Sequence, residues 1–234
     1  MRSIKEIKKD SKPIVFLGSC HNIQNLVELC NSSGREVIGL IDPDYDSQKE
    51  FYGLPVLQKK PYINEPEKYE FFVATWWTPF QNNVHRRNLK KRRLFLAWME
   101  SYKFTGATVI HDTAVISPKA MIDSHVSVGA LSILVQNCQI HKHTNIREQC
   151  YVSHDVVVDS NCVLQMKSTV TGSITVGSNT YIGPGATVVN GSPLNPMHIG
   201  NNVIIHPNQL VLESVADNTI VSYKKAPFVV TVDQ

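Results

Sequence analysis

No apolar stretch in this 234-residue chain approaches the roughly 18 residues that a membrane-spanning helix requires. Its opening segment, MRSIKEIKKDSKP, is charged throughout and has no apolar centre of the kind that marks a secretory leader. Cysteine is scarce and odd in number, five in all, which argues against a disulfide framework. The expectation is a reduced, cytoplasmic protein without a membrane span. Charge of one sign is also missing. With 23 Lys and Arg against 20 Asp and Glu, the net charge of +3 is too small to recruit nucleic acid by bulk electrostatics. What remains is 42% hydrophobic and 18% charged, a balance that excludes disorder and fibre. At roughly 100–200 residues per domain, the length allows one large domain or two modest ones.

A fixed internal period is present from Ile110 onward. Every sixth residue, Ile110, Ile116, Ile122, Val128, Leu134, Ile140, Ile146, Val152, Val158, Leu164, Val170, Val176, Ile182 and Val188, is Ile, Leu or Val. Four places after each comes a mostly small residue, as at Ala114, Ala120, Ser132, Cys138, Thr144, Cys150, Cys162 and Ser168. Six fits neither the helical 3.6 nor a lone strand, but it suits a coil of short strands that each turn one large and one small residue inward. This is the hexapeptide β-helix pattern, in which residues eighteen apart stack on successive coils. A β-sandwich fits poorly, because its turns come every 8–12 residues. The beat breaks once, at NGSPLNPMH (190–198), and resumes at Ile199, Ile205 and Val211 before a tail from about Val215 that reads as irregular cover.

The preceding hundred residues differ. PIVFLG (13–18) reads as a buried parallel strand, 21–33 as a helix, 37–41 and 69–76 as further strands, and Leu94–Trp98 as part of a helix entering the repeat. The expected architecture is therefore a small α/β domain with a parallel sheet and crossovers over 1–105, followed by a β-helix over 106–234 that carries a C-terminal tail. Ligands of open parallel sheets bind beyond the carboxyl ends of the strands. That principle singles out the turn Gly18-Ser19-Cys20-His21, Asp42 at the end of the second strand, and the Trp76-Trp77 pair, which could stack on a base or simply cover the sheet edge. One glycine is not a GxGxxG fingerprint, so a purely structural turn stays open. The basic run Arg86, Arg87, Lys90, Lys91, Arg92 and Arg93 would wrap round a helix and reads as a solvated face.

Nine histidines raise the question of a metal. Resemblance to the zinc-dependent gamma-class carbonic anhydrases, which share the hexapeptide pattern, would imply two ligands on one corner 36 residues apart; no two histidines have that spacing, and His141 and His143 suit neither a helical nor a stacked pair, so no metal site is expected. His154 stands out. It follows the inward Val152 by two places, which sets it on a corner, with Asp155 beside it and Gly172 eighteen residues on. A base with close-approaching backbone one coil above can hold a reacting carbon between a proton acceptor and an N–H donor. A plain surface histidine is the competing account. Cys138, Cys150 and Cys162 occupy inward slots, which argues for direct transfer without a covalent enzyme intermediate.

The run YVSHDVVVDSNCVLQMKSTVTGSITVGSNTYIGPGATV (151–188) resembles the hexapeptide acyltransferases that modify nucleotide-linked amino sugars or sialic acid, of the bacillosamine-pathway type. The resemblance implies a small Rossmann-like nucleotide-sugar-binding domain joined to a left-handed β-helix, a homotrimer with active sites between subunits, and acetyl-CoA as acyl donor. It also implies a UDP- or dTDP-linked amino sugar as acceptor. It casts His154 as general base, Asp155 as its support and the Gly172 N–H as oxyanion donor. It assigns the sugar nucleotide to Gly18, Ser19, Cys20, His21, Asp42, Asp44, Thr75 and Trp76, and acetyl-CoA to Gly172, Ser173, Asn190, Lys224 and Lys225. The chain departs from the family in three places: one glycine in the first turn, no second histidine in Ser160–Gln165, and Ser222-Tyr223-Lys224-Lys225-Ala226-Pro227 where Gly-x-Pro-Ala is usual. O-acetylation of a sugar, and a non-catalytic nucleotide-binding module, are the alternatives.

Overall fold

The computed structural model describes residues 1, 4–7, 12–75, 82–189 and 191–222. In chain order the first region runs α1 (Ile4–Ile7), β1 (Ile14–Leu17), α2 (Ile23–Ser32), β2 (Val37–Ile41), a hairpin of β3 (Glu50–Phe51) and β4 (Leu54–Pro55), α3 (Lys59–Asn64), β5 (Glu70–Val73) and α4 (Asn82–Ser101). The three longer strands form a parallel sheet in the order β2-β1-β5. Successive side chains point to opposite faces. Ile14, Phe16 and Phe72 therefore pack with α2 through Ile23, Leu26, Leu29 and Cys30, while Val15, Leu17, Phe71 and Val73 pack with α4 through Phe95 and Met99. The hairpin was not anticipated from the sequence. Its two-residue turn, Tyr52-Gly53, has positive φ at both positions (48° and 78°), matching the twist of the paired strands. Helix α4 is also longer than its apolar residues suggest, because its first half carries few of them.

From Val109 the chain winds into a left-handed β-helix whose three faces hold six, five and seven short parallel strands. Within 109–188 partners are eighteen residues apart, as in Ile133 with Tyr151 and Tyr151 with Thr169. The large inward residues from Ile122 to Val188 are all buried, and so are the small ones from Ala120 to Ala186. This is the core that the six-residue beat describes. The insertion after Val188 lengthens the offset to twenty-three residues, as in Thr187 with Leu210. The segment after Val215 corrects the expectation of irregular cover: Val215 bridges Ile199, and Ile204 pairs with Ile220, so the coil runs on to Val221 at an offset of sixteen.

Gly185 makes one corner at φ 67°, but the ten corners before it each turn on a non-glycine residue in the left-handed region: His125, Leu131, Asn137, His143, Gln149, Asp155, Asn161, Lys167, Ser173 and Asn179, at φ between 56° and 64°. At six of them, starting with Gln149, Asp155 and Asn161, the backbone N–H donates to a carbonyl of the coil before, which offsets the unfavourable backbone. No described helix is long and apolar enough to cross a membrane.

Candidate active site

The corner after Val152 carries the first cluster. Val152 is fully buried, Asp155 makes the left-handed turn at φ 56°, and His154 between them is thrown outward, about half exposed. His154 Nδ1 lies 2.9 Å from Asp155 Oδ2, and the other carboxylate oxygen accepts from Asn137 Nδ2 at 3.0 Å. Hydrogen bonds from His154 first, and from Asn137 next, hold the Asp155 carboxyl below its ordinary range. In a neutral imidazole, donation of an Nδ1–H to an ionised Asp155 would leave the lone pair on Nε2. Asn137 was not singled out from the sequence. It sits eighteen residues before Asp155, and that spacing is the signal that could have found it.

Gly172 lies against this ring, nearest its Cε1 and Nε2 atoms. A Cβ on Gly172 would stand 2.5 Å from His154 Cε1 and 2.6 Å from Nε2, so any side chain there displaces the imidazole. Among the described residues nothing accepts from the Gly172 N–H, whereas the next N–H, that of Ser173, donates to His154 O at 3.2 Å. The sequence-derived group His154, Asp155, Gly172 and Ser173 is thus assembled on one corner. Asn190, Lys224 and Lys225 lie outside the described residues. The interior thiols are poor nucleophiles: burial pushes Cys138 and Cys162 up to about 12 and Cys150 up to about 11. Among the described residues no three His, Cys, Asp or Glu side chains stand together as a metal site.

A second cluster forms at the carboxyl end of the parallel sheet. Gly18 opens the turn after β1 at φ 83°, where a Cβ would stand 2.4 Å from Phe95 and 2.6 Å from Thr75 Cγ2. Asp42 is fully buried. Its carboxylate accepts from Ser19 Oγ at 2.6 Å, from the Asp44 N–H at 3.1 Å and from Lys91 Nζ at 2.7 Å, and Lys91 reaches Asp44 as well at 2.8 Å. The Asp42 carboxylate is therefore engaged inside the protein rather than presented openly. Cys20 is half-buried and His21 exposed beside this turn. The Thr75 hydroxyl is buried with no partner among the described residues. Trp76 and Trp77 lie outside them.

The basic run departs from the expected solvated face. Arg92 is only 2% exposed, and Lys91 is bound between two carboxylates. Arg92 donates from Nε to Asn161 Oδ1 (2.8 Å), from one terminal nitrogen to Thr75 O (3.1 Å) and from the other to His143 O (2.8 Å). Burial lowers its guanidinium to about 10. Beside it, His125 Nε2 accepts from the Val73 N–H at 2.8 Å, and its Nδ1 meets His143 Nδ1. Burial, then the neighbouring His143 and Arg92, keep His125 well below its ordinary value, and His143 is lowered to about 4 by burial and by Arg92. The stacked pair is eighteen residues apart, a spacing legible in the sequence but not recognised there.

No protein-family model matches the chain. It is 24% identical over 152 residues to GDP-perosamine N-acetyltransferase of Escherichia coli O157:H7, a match spanning 65% of this chain and 64%, under two thirds, of that protein. PerB from Caulobacter crescentus, crystallised with CoA and GDP-perosamine, superposes with a TM-score of 0.69 at 23% identity over 89% of this chain and 92% of its own. The acetyltransferase domain of PglB from Neisseria gonorrhoeae gives a TM-score of 0.74 at 18% identity, over 93% of this chain and 100% of that domain. In sequence and in fold, this chain resembles the hexapeptide-repeat sugar N-acetyltransferases.

Proposed function

We propose that the protein transfers the acetyl group of acetyl-CoA to the amine of a nucleotide-linked amino-deoxy sugar. The observation that carries this reading is the His154 imidazole, with Nδ1 2.9 Å from Asp155 Oδ2 and the Cε1–Nε2 side of the ring laid against Gly172. The neutral sugar amine attacks the thioester carbonyl carbon, and Nε2 takes the proton that the nitrogen sheds. The oxyanion of the tetrahedral centre accepts from the Gly172 N–H. Collapse expels the CoA thiolate, which takes the proton from the imidazolium, giving amide and free thiol. Ionised Asp155 stabilises the imidazolium in between. Ser173, Asn190, Lys224 and Lys225 are proposed to contact acetyl-CoA.

On this reading the division falls at 105/106, with the sugar nucleotide held at the sheet end by Gly18, Ser19, Cys20, His21, Asp44, Thr75 and Trp76, while the buried Asp42 acts through Ser19 and Lys91 rather than by direct contact. The resemblance favours UDP or dTDP on the acceptor sugar, while PerB was crystallised with GDP-perosamine, so all three nucleotides belong in a test. A homotrimer is proposed on the face next to the His154 corner, where Val115, Ile133, Tyr151 and Leu210 leave large apolar side chains exposed in one register.

The test is release of free thiol from acetyl-CoA with UDP-, dTDP- and GDP-linked amino sugars, alongside hydroxyl-only sugars. Release that depends on an amino sugar and falls about 10²–10⁴-fold in folded His154→Ala is expected for loss of a general base. Full activity in folded His154→Ala removes the base from the mechanism, and release with hydroxyl-only sugars replaces N- by O-acetylation.

A further inference from the structure

Strand β5 is an edge of its sheet, and the donors on its open side need acceptors. Phe71 N–H finds one in Thr105 O at 2.8 Å. The next, Val73 N–H, finds none in the backbone and is met by the His125 ring, which reaches it from the first full coil of the β-helix. Two residues on, Thr75 O accepts from Arg92, whose other two contacts grip successive levels of the same corner, at His143 O and Asn161 Oδ1. All three acceptors of Arg92 are neutral, and among the described residues no carboxylate pairs with it. Burying a cation without a counter-charge is costly, so its contacts hold something that would otherwise be free to shift. What they hold is the exit of β5, and Thr75 there abuts Gly18, the residue that opens the turn between β1 and α2.

We infer that Arg92 and His125 are positioning residues that bolt the exit of β5 to the β-helix and so fix the proposed sugar-nucleotide turn relative to the transfer corner. The inference rests on the proposed transfer reaction for its kinetic consequence, but its geometry does not. Neither residue touches substrate on this account. Each acts through Val73, Thr75 and Gly18.

The experiment compares full-length Arg92→Met, His125→Leu and His125→Gln with the parent protein. Arg92→Met and His125→Leu are expected to raise KM for the amino-sugar nucleotide about tenfold or more, as for loss of buried hydrogen bonds to fixed partners, with KM for acetyl-CoA changed less than about twofold. His125→Gln, whose amide oxygen can accept from Val73 N–H, is expected to restore most of the loss. Amide hydrogen exchange at Val73 supplies a readout independent of activity: faster in Arg92→Met and His125→Leu, slow in His125→Gln. A folded Arg92→Met with parental KM values and parental Val73 exchange overturns the bolt. If Arg92→Met does not fold, the His125→Leu and His125→Gln pair decides by the same two measures. If the parent releases no thiol with any amino sugar, the transfer reading fails, and Val73 exchange alone then upholds or overturns the bolt.

Discussion

Two corners of one β-helix carry histidines on the same eighteen-residue lattice, yet they are chemically opposite. At one, His154 projects half-exposed beside an ionised carboxylate that itself accepts from Asn137. At the other, the His125 and His143 rings meet edge to face on successive coils beneath the N-terminal region, next to a buried arginine. The backbone at the two corners repeats. The difference lies in a one-place offset and in what covers the corner. His154 precedes the left-handed residue and points outward, whereas His125 and His143 are the left-handed residues and face Val73 and Arg92. Solvent and a neighbouring anion let an imidazole gain a proton during reaction, while burial beside a cation holds it neutral. One lattice thus supplies a candidate base and a structural pin.

The comparison can be broken at the reactive corner most severely through Gly172. Gly172→Ala places a methyl group where the His154 ring lies, and displacing the base is expected to lower kcat about 10²-fold. Steady-state rates checked against an unchanged melting profile decide it, and parental kcat would show that the ring is free to move. Asn137→Ala should act more gently. Losing one hydrogen bond to Asp155 is expected to cost roughly a factor of five in kcat with both KM values retained. A rate equal to that of the parent would leave Asn137 as simple corner packing.

At the buried corner the measurable effect is on stability. His143 is lowered to about 4 from an ordinary 6.5, so between those values the unfolded chain binds a proton that the folded one refuses. Stability from this pair is therefore fully present above 6.5 and is lost as the pH falls toward 4. Urea midpoints from pH 8 to pH 4.5 should be level and then decline, and His143→Asn should flatten part of the decline. An identical pH dependence in the two proteins would mean that His143 is not held neutral by the fold.

Much of this was legible before the structure because a β-helix is a local code. Each six-residue segment chooses its inward residue independently of distant partners, so Ile122 to Val188 could be assigned to a core, and His154, Asp155 and Gly172 to one corner, by counting alone. The tail beyond Val215 escaped because a shortened coil at an offset of sixteen breaks that count. Arg92 escaped for a different reason. On its own helix it is one cation in a basic run, and nothing within α4 says that Thr75, His143 and Asn161 converge upon it.

The sequence by itself determined the repeat, its inward residues and the corner on which His154, Asp155 and Gly172 stand, because side-chain periodicity follows from backbone geometry over a few residues. Only the tertiary structure decided that Asp42 is closed over by Lys91, that His125 completes the edge of β5 and that Arg92 is buried. Those outcomes join residues from 17 to 69 positions apart, and burial and charge pairing between such residues exist only once the chain has folded.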